Sequence, residues 1–518
     1  MNEHVAAAWR LLPVYLGQHV LLSASALGLG LLISLPLVVA ASRSARVRWP
    51  VLALASLIQT VPSLALLALF YPILLALSSA AQHVFGHGFS ALGFLPSLLA
   101  LTLYSVLPIL RNGATALTNL DPAVLEAARG VGMTERQQLL RIELPLAAPL
   151  LMAGVRTSAV WVIGTATLST PVGQTSLGNY IFAGLQTEDW VSVLFGCLAA
   201  VALALVTDQL LGTIESGVAK RRPVRIWAGV ALLLVGIVIA VAPSFSSSKP
   251  AYVVGAKSFS EQYILADLIE DRLRQRGFSV LGRSGLGSVI AFRALANNEI
   301  DTYVDYSGTV WANEMGRTDR PPRAVLLKEL TEWLRKNRGV TVLGSLGFEN
   351  AYALAMRRDR AQALGIRTIA DLAAHAPNLR IGADYEFLSR PEWQALRDTY
   401  GLNFRDQRQF QSTFMYRAVA SSDVDVISAF SSDGRIAAYD LVVLDDPKQA
   451  ILPYDAIVML SPARASDAAL RGALQPMIGA IPIDLMRAAN QLVDRDENKL
   501  SPAQAAVWLA KQTHLDAP

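Results

Sequence analysis

The sequence predicts a chain of two parts, an all-α transmembrane domain at residues 1–243 and a two-lobed α/β domain at residues 251–518. Three observations lead to this fold class. Hydrophobic residues make up 53% of the 518 residues and charged residues 17%, which is too apolar for an ordinary water-soluble domain. The apolar residues are concentrated before Ala251, and the half that follows has an ordinary mixture of charges. The polar stretch at 244–250, which contains four serines, reads as the linker between the halves.

The first half contains six apolar runs. A bilayer core requires about 20 apolar residues for each helix that crosses it. The six runs are Leu16–Ala41, Val51–Leu77, Leu92–Leu110, Leu146–Leu168, Val191–Leu211 and Trp227–Val241. The first run is too long for the apolar core of a signal peptide, so we interpret it as a retained span.

The positive charges of the first half predict how it crosses the membrane. Lysine and arginine occur in the first, third and fifth loops between the spans, and the loops 79–90 and 170–189 contain neither residue. Cytoplasmic loops carry the excess of these residues. The odd loops are therefore predicted to be cytoplasmic, which places both termini and the whole α/β domain outside the cytoplasm. The net charge of +4 is small for this length and gives no argument for a nucleic-acid partner.

The third loop carries the sequence pattern of two short helices. Asp121 followed by Pro122 is a typical helix start, and Gly132 is suited to end that helix. Thr134 and Gln137 have the spacing of a capping box, which predicts a second short helix that ends near Leu144 and Pro145. The loop is therefore predicted to form a rigid projection at residues 121–145.

This loop resembles the EAA motif of ABC importer permeases at every defined position, and the resemblance extends over about residues 17–211. The matching residues are Glu126, Ala127, Ala128, Gly132, Ile142, Leu144 and Pro145. The resemblance implies a type I importer-like permease whose loop docks on a separate dimer of ATPase subunits, where ATP and magnesium are bound. Because the chain has one such loop, we expect it to form a permease homodimer. It has no phosphate-binding loop, so we expect no cofactor and no enzymatic activity on this chain.

In the second half, predicted strands alternate with helices, which is typical of layered α/β domains. We expect lobe 1 at about 251–347 and 456–518, and lobe 2 at about 348–455. Ser258 and Glu261 have the spacing of a capping box after the first strand, and such a helix start is a potential anion site. Tyrosine and phenylalanine recur at predicted strand ends and turns. Several such rings can enclose a quaternary ammonium group through cation–π attraction.

Residues 253–515 resemble the substrate-binding proteins of osmoprotectant importers, which have a type II periplasmic-binding-protein fold. The segments that carry the resemblance are GAKSFSEQ (255–262), YVDYSGT (303–309), FENAYAL (348–354), FSSDGRIAAYDLVVLDD (430–446) and PYDA (453–456). The resemblance implies an aromatic cage of Tyr306, Tyr352, Phe430 and Tyr454. It also implies that Lys257, Ser258 and Thr309 lie near the polar end of the ligand. Phe430 departs from the family pattern, which has tyrosine there, and this leaves the ligand open.

Three functions remain in competition at this stage. The first is an ATP-driven importer for glycine betaine, choline or carnitine in the bacterial inner membrane. A closely similar class of fused chains imports ergothioneine, and the segment 386–393 keeps that alternative open. A ligand-gated channel or sensor is the alternative of another class, and the complete EAA motif argues against it.

Overall fold

The computed structural model describes residues 3–86, 88–187, 189–245, 251–495 and 497–516. The chain divides into two compact units, one formed by Met1–Gly184 with Trp190–Ser248 and the other by Leu185–Asp189 with Lys249–Pro518. The predicted linker at 244–250 overlaps the last helix of the first unit at Ser244 and Phe245. Its remaining residues lie outside the described part of the chain.

The described residues of the first unit form helices joined by short loops, without a β-strand. Its helices are α1 (Glu3–Arg43), α2 (Ala45–Thr60), α3 (Ser63–Phe85), α4 (Phe94–Thr118), α5 (Pro122–Gly130), α6 (Glu135–Gln138), α7 (Leu144–Ala166), α8 (Gly178–Gln186), α9 (Trp190–Ala219) and α10 (Pro223–Phe245). Among the described residues, six helical stretches are long and apolar enough to cross a membrane. The six predicted spans are thus confirmed in number. Gly154 lets α7 approach α4, because an added Cβ there would lie 2.8 Å from the carbonyl oxygen of Pro108.

The second predicted span, Val51–Leu77, is wrong in its position. The structure ends α2 at Thr60 and begins α3 at Ser63, and α3 alone is the second stretch that qualifies as a span. Val61 between them is extended, with φ −70° and ψ 129°. The cause is Pro62, since proline disfavours a helical conformation in the residue before it and has no N–H to donate within a helix.

The predicted first helix of the third loop has both of its expected ends. The Asp121 side chain accepts a hydrogen bond from the Ala123 N–H at 2.9 Å, and Pro122 occupies the first helical turn. Gly132 adopts φ +79°, the N–H of Gly132 bonds to the carbonyl of Arg129, and that of Met133 bonds to Ala128. These two bonds form a Schellman motif, which satisfies the last carbonyls of α5.

The second short helix begins as predicted but does not end near Leu144 and Pro145. Thr134 and Gln137 form the capping box at the start of α6. A π turn at Leu139–Glu143 then leads directly into α7, so the helical run continues through Pro145. Proline has no N–H to donate, and its ring crowds the turn that precedes it. The wider π turn lies directly before Pro145 and accommodates its ring, so the helix continues without a break.

Two sets of ion pairs attach this helical run to its neighbours. Glu143, which is buried in the π turn, accepts hydrogen bonds from Arg43 at the end of α1, with both of its oxygens at 2.9 Å. Further along α7, Arg156 pairs with Asp208 and Glu215 of α9, both at 2.7 Å. The helix that carries the loop is therefore held to α1 and to α9 by charged contacts.

The described part of the second unit contains two five-stranded sheets. Its strands are β1 (Tyr252–Lys257), β2 (Val280–Leu286), β3 (Thr302–Tyr306), β4 (Thr341–Glu349), β5 (Tyr352–Arg357), β6 (Arg380–Asp384), β7 (Asp406–Phe410), β8 (Val426–Phe430), β9 (Leu441–Val443) and β10 (Asp455–Leu460). The first sheet has the order β2-β1-β3-β10-β4 and the second β7-β6-β8-β5-β9. The chain passes between the sheets after β4 and returns before β10, so each sheet forms one lobe.

Helices accompany both sheets. They are α11 (Ser260–Gln275), α12 (Ser288–Ala296), α13 (Ser307–Thr309), α14 (Arg323–Arg338), α15 (Arg358–Leu364), α16 (Ile369–His375), α17 (Pro391–Tyr400), α18 (Ser412–Ala420), α19 (Arg435–Ala438), α20 (Ala468–Leu474), α21 (Ile483–Asp494) and α22 (Pro502–Gln512). The central strands are almost fully buried, as expected for sheets covered on both faces.

Candidate functional site

A cavity of about 240 Å³ lies in the second unit and is lined by residues of both lobes. The four positions of the predicted aromatic cage all line it. Each lies where a strand begins or ends. Tyr306 ends β3, Tyr352 begins β5, Phe430 ends β8 and Tyr454 directly precedes β10. The fold therefore brings together four rings that are spread over about 150 positions of the sequence.

Three of the four rings form one aromatic cluster with an additional phenylalanine. Tyr352 and Phe430 are paired across β5 and β8, with ring centres 5.0 Å apart. The ring of Tyr454 stands edge-on to Tyr352 at 6.0 Å and 86°. Phe387, which is not among the predicted cage residues, lies 5.1 Å from Tyr352. Offset and edge-on arrangements of this kind are the favoured ones for aromatic pairs.

Tyr306 lines the same cavity and makes its ring contact outside this cluster. Its ring stacks on Phe259 at 6.1 Å and 29°. Its hydroxyl donates a hydrogen bond to Glu261 at 2.5 Å and accepts one from Gln262 at 3.1 Å. Burial raises the pKa of the Tyr306 phenol well above its usual range, so the hydroxyl stays protonated and continues to donate.

A buried arginine that carried no role in the sequence interpretation contacts the aromatic cluster. The guanidinium carbon of Arg390 lies 5.1 Å from the ring centre of Tyr352. Arg390 also pairs with Glu392 at 3.1 Å, and Glu392 accepts a hydrogen bond from the hydroxyl of Tyr454. Arg390 lies just before Pro391 at the start of α17. Arg390 also donates a hydrogen bond at 3.4 Å to the Tyr454 hydroxyl, so this arginine contacts two of the cage tyrosines directly and reaches Tyr454 a second time through Glu392.

The predicted polar end is only partly free to meet a ligand. Lys257, Ser258 and Thr309 all line the cavity. The ammonium group of Lys257 is paired with Asp305, which also accepts hydrogen bonds from the Tyr303 hydroxyl and the Tyr306 N–H. The positive charge of Lys257 is thus already balanced within the protein.

The capping box predicted for Ser258 and Glu261 is wrong. The residue that precedes α11 is Phe259, and no side chain caps this helix. The Glu261 side chain turns inward instead, where it accepts four hydrogen bonds from other segments. Tertiary donors have replaced the local backbone N–H that a capping box would supply.

Three helix starts line the cavity without a side-chain cap. Ser260 begins α11, Ser288 begins α12 and Ser412 begins α18, and each of these residues lines the cavity. None of the three helices has a hydrogen bond from a capping side chain to its first N–H groups. Free N–H groups and the helix dipole make such positions favourable for an anion. The cavity thus combines aromatic faces with sites suited to a carboxylate.

The predicted ATPase-coupling residues lie together on the third loop of the first unit. Glu126, Ala127, Gly132 and Pro145 are exposed, Ile142 and Leu144 are half-buried, and Ala128 is buried. Val131, next to Gly132, is also exposed. The described residues contain no group of three or more side chains that could hold a metal ion.

The two units define a class of protein: a multi-pass permease with a structured loop, joined to a two-lobed ligand-binding domain. A family model described as the inner membrane component of binding-protein-dependent transport systems matches residues 29–220. A second, described as the substrate binding domain of ABC-type glycine betaine transport systems, matches residues 250–511, just over half of the chain. The chain therefore belongs to the ABC-type glycine betaine transport family, as a permease fused to its substrate-binding domain.

Relatives of each kind are found among characterised proteins. The ergothioneine transport permease/ergothioneine binding protein EgtU of Helicobacter pylori is 27% identical over 77% of this chain and 72% of its own length. The choline transport system permease protein OpuBB of Bacillus subtilis is 38% identical over 38% of this chain and 84% of its own length. A crystal structure of a glycine betaine/carnitine/choline ABC transporter matches 51% of this chain and all of its own, with 27% identity and a TM-score of 0.46.

Family membership also fixes the location. The protein is a multi-pass protein of the inner membrane, and its C-terminal domain is extracytoplasmic. A permease of this family works with a partner ATPase.

Proposed function

We propose that the chain captures a small zwitterion with a quaternary ammonium group, of the glycine betaine and carnitine type, and passes it inward across the membrane. The observation that carries this proposal is the cavity in which Tyr352, Phe430 and Tyr454 cluster beside uncapped helix starts. The aromatic faces suit the methylated cation, and the helix starts suit the carboxylate. Choline has the methylated cation and no carboxylate, so it would use only the aromatic faces.

The cation would lie against the aromatic cluster. Each ring with a desolvated face contributes about 0.5–2 kcal/mol to the binding of a cation. Phe430 supplies a face of the same kind as tyrosine, so the departure from the family pattern removes a hydroxyl and keeps the attraction. Tyr306 supplies the fourth ring from lobe 1, which makes the complete cage depend on both lobes.

The carboxylate would lie at the helix starts of α12 and α18. The first belongs to lobe 1 and the second to lobe 2, so a bound anion would favour the closed arrangement of the lobes. Ser258 and Thr309 are near enough to line the same cavity. We assign Lys257 a structural role, in which its ion pair with Asp305 holds the polar end of the cavity in place.

The second candidate ligand is ergothioneine, which is also a trimethylated betaine. The relative that carries this name matches 77% of this chain, and this match supports ergothioneine as the alternative ligand. The cage and the helix starts would serve it in the same way, since it presents the same two charged groups. The additional imidazole-thione ring would have to fit beside the segment 386–393.

We also propose the assembly. The first unit has one EAA-type loop, so two copies of the chain would form the permease and each loop would dock on one subunit of a separate ATPase dimer. ATP and magnesium would be bound on that partner. The ion pairs of Glu143 and Arg156 would deliver a movement of the loop to α1 and α9.

Isothermal calorimetry on the full chain in lipid nanodiscs tests the ligand. We expect saturable binding of glycine betaine or carnitine, and Tyr306→Ala or Tyr454→Ala is expected to weaken it roughly tenfold or more, the loss of one ring. Tight binding of ergothioneine alone would select the second candidate. If glycine betaine, carnitine, choline and ergothioneine all fail to bind the unaltered chain, the proposed ligand class is wrong.

A further inference from the structure

Glu261 lines the ligand cavity as a fully buried carboxylate that bridges four segments of the second unit. One oxygen accepts hydrogen bonds from the Tyr306 hydroxyl at 2.5 Å and from the Asn350 amide at 3.1 Å. The other accepts from the Ser432 hydroxyl at 2.5 Å and from the Asn490 amide at 2.9 Å. Tyr306 belongs to lobe 1, and Ser432 follows the lobe 2 strand β8. The four donors fix the carboxylate at the border between the lobes.

All four partners of Glu261 are electrically neutral. Most other buried charges of the cavity have opposite charges beside them: Lys257 has Asp305, Arg390 has Glu392, and Arg435 has Asp433. The buried carboxylate of Asp384 instead accepts hydrogen bonds from two backbone N–H groups of its own segment. Within the described part of the chain, Glu261 forms no ion pair. Burial raises the pKa of this carboxyl group, and the four hydrogen bonds oppose the increase. A buried negative charge without a positive neighbour is costly, and a cation in the cavity would relieve that cost.

The amide groups on either side of Glu261 are also incompletely satisfied. The side-chain oxygens of Asn350 and Asn490 are buried and have no hydrogen-bond partner in the described residues. Both residues line the cavity. Buried polar atoms in folded proteins almost always have a partner, so these two acceptors mark a place arranged for a ligand or its hydration.

We infer that Glu261 is the fixed counter-charge for the quaternary ammonium group of the ligand. The inference rests on the proposed function and adds a second source of cation selectivity to the aromatic cage. The rings attract the cation through their quadrupoles at short range, whereas a carboxylate acts over a longer distance through its full charge. The hydrogen bond from Tyr306 couples the two, because it holds one cage ring directly on the carboxylate.

A thermodynamic cycle between ligand charge and residue charge tests this role. The ligands are glycine betaine and 3,3-dimethylbutanoate, in which carbon replaces the ammonium nitrogen and the shape is kept. If the unaltered chain prefers choline or carnitine, the corresponding carbon isostere replaces this pair. The proteins are the full chain and its Glu261→Gln variant in nanodiscs.

We expect Glu261→Gln to weaken binding of the cation by about 10- to 100-fold, as for unit charges about 6–10 Å apart at an effective dielectric constant near 20. Binding of the carbon isostere is expected to weaken by less than about threefold or to become tighter. The isostere has no cation for Glu261 to attract, and its carboxylate, where it has one, is no longer repelled.

The arrangement of the site allows glutamine at this position. The Ser432 hydroxyl can rotate to accept a hydrogen bond, and the amide of Asn490 can turn to present its unpartnered oxygen to the new NH2 group. If Glu261→Gln nevertheless does not fold, Glu261→Asp replaces it, because aspartate keeps the charge. The Asp variant is expected to keep its preference for the cation over the isostere within about fivefold of the unaltered chain.

Ser432→Ala is the matched control, because it removes one donor to Glu261 and leaves the charge in place. It is expected to weaken both ligands equally. An equal loss of both ligands in Glu261→Gln, or a loss of cation preference in a folded Asp variant, overturns the inference and makes Glu261 a structural residue. The proposed function fails separately, when the unaltered chain binds none of the cations.

Discussion

Gly308 shows how a single residue decides the shape of the cage. An added Cβ at this position would lie 2.6–2.8 Å from three ring atoms of Tyr454. Glycine is the only residue that leaves this space to the ring, and contacts under 3 Å force the neighbour to move. The turn that follows β3 therefore determines where an aromatic ring 146 positions later can lie.

Gly308→Ala is expected to weaken ligand binding roughly tenfold, because the Tyr454 ring would be displaced and its share of the cation–π attraction lost. Calorimetry on the full chain measures the change. Gly472→Ala is the control, since that glycine lies in α20 and an added Cβ would come no closer than 3.4 Å to Arg276. Unchanged affinity in Gly308→Ala would show that the ring is not held by this contact.

Arg390 and Glu261 are the residues that the sequence interpretation missed at this scale. The first occurs in an unremarkable Arg-Pro-Glu stretch, and the second was assigned to a local capping box. Both roles come from partners that are distant along the chain: Tyr352 lies 38 positions from Arg390, and Ser432 lies 171 positions from Glu261. The sequence contains a better indication for Arg390 than for Glu261, because an arginine beside an aromatic-rich segment is a candidate for cation–π contact.

At the scale of elements, the capping signals of the third loop were confirmed, the capping box at Ser258 and Glu261 was not, and proline signals required the tertiary context. Asp121, Gly132 and the Thr134–Gln137 pair define the helix ends that they predicted. Pro62 was overlooked inside an apolar run and breaks it, whereas Pro145 was expected to end a helix and lies within a continuous run. The difference arises because a π turn accommodates Pro145 while Val61 is extended before Pro62.

The coupling loop offers a matched pair of glycines for a test. Gly132 has φ +79° and Gly130 ends the helix α5, and an added Cβ would meet nothing within 4 Å at either position. Gly132→Ala is expected to destabilise the loop by about 1–2 kcal/mol, because a left-handed conformation is unfavourable for alanine. Gly130→Ala is expected to be neutral or to stabilise the helix by up to about 1 kcal/mol.

Retention of the partner ATPase on the purified, affinity-tagged chain measures the effect of the two substitutions. We expect less retained ATPase, and less ATPase activity stimulated by the ligand, with Gly132→Ala than with Gly130→Ala. Equal retention by the two variants would contradict a docking role for the Schellman turn.

At the scale of the whole molecule, the important fact is that a permease and a binding domain share one chain. A covalent link keeps the binding domain at a high effective concentration near its permease, commonly about millimolar for a short link. Cleavage at a protease site inserted between residues 248 and 249 is therefore expected to reduce ligand uptake roughly tenfold or more in dilute proteoliposomes with the ATPase. The same insertion without protease is the control, and uptake that survives cleavage and dilution would show that the link is dispensable.

The sequence by itself determined the class of this protein. Its composition, six apolar runs, charge pattern and EAA spacing depend on neighbours along the chain or on the bilayer, so they can be read without a fold. The motif resemblance also pointed to the four rings of the cage, and the structure places them around one cavity.

Only the tertiary structure decided how charges are distributed in this cavity. It paired Lys257 with Asp305, placed Arg390 on Tyr352, and surrounded Glu261 with neutral donors. Such contacts join residues from different strands and lobes, and their free energy depends on burial, which local sequence does not specify.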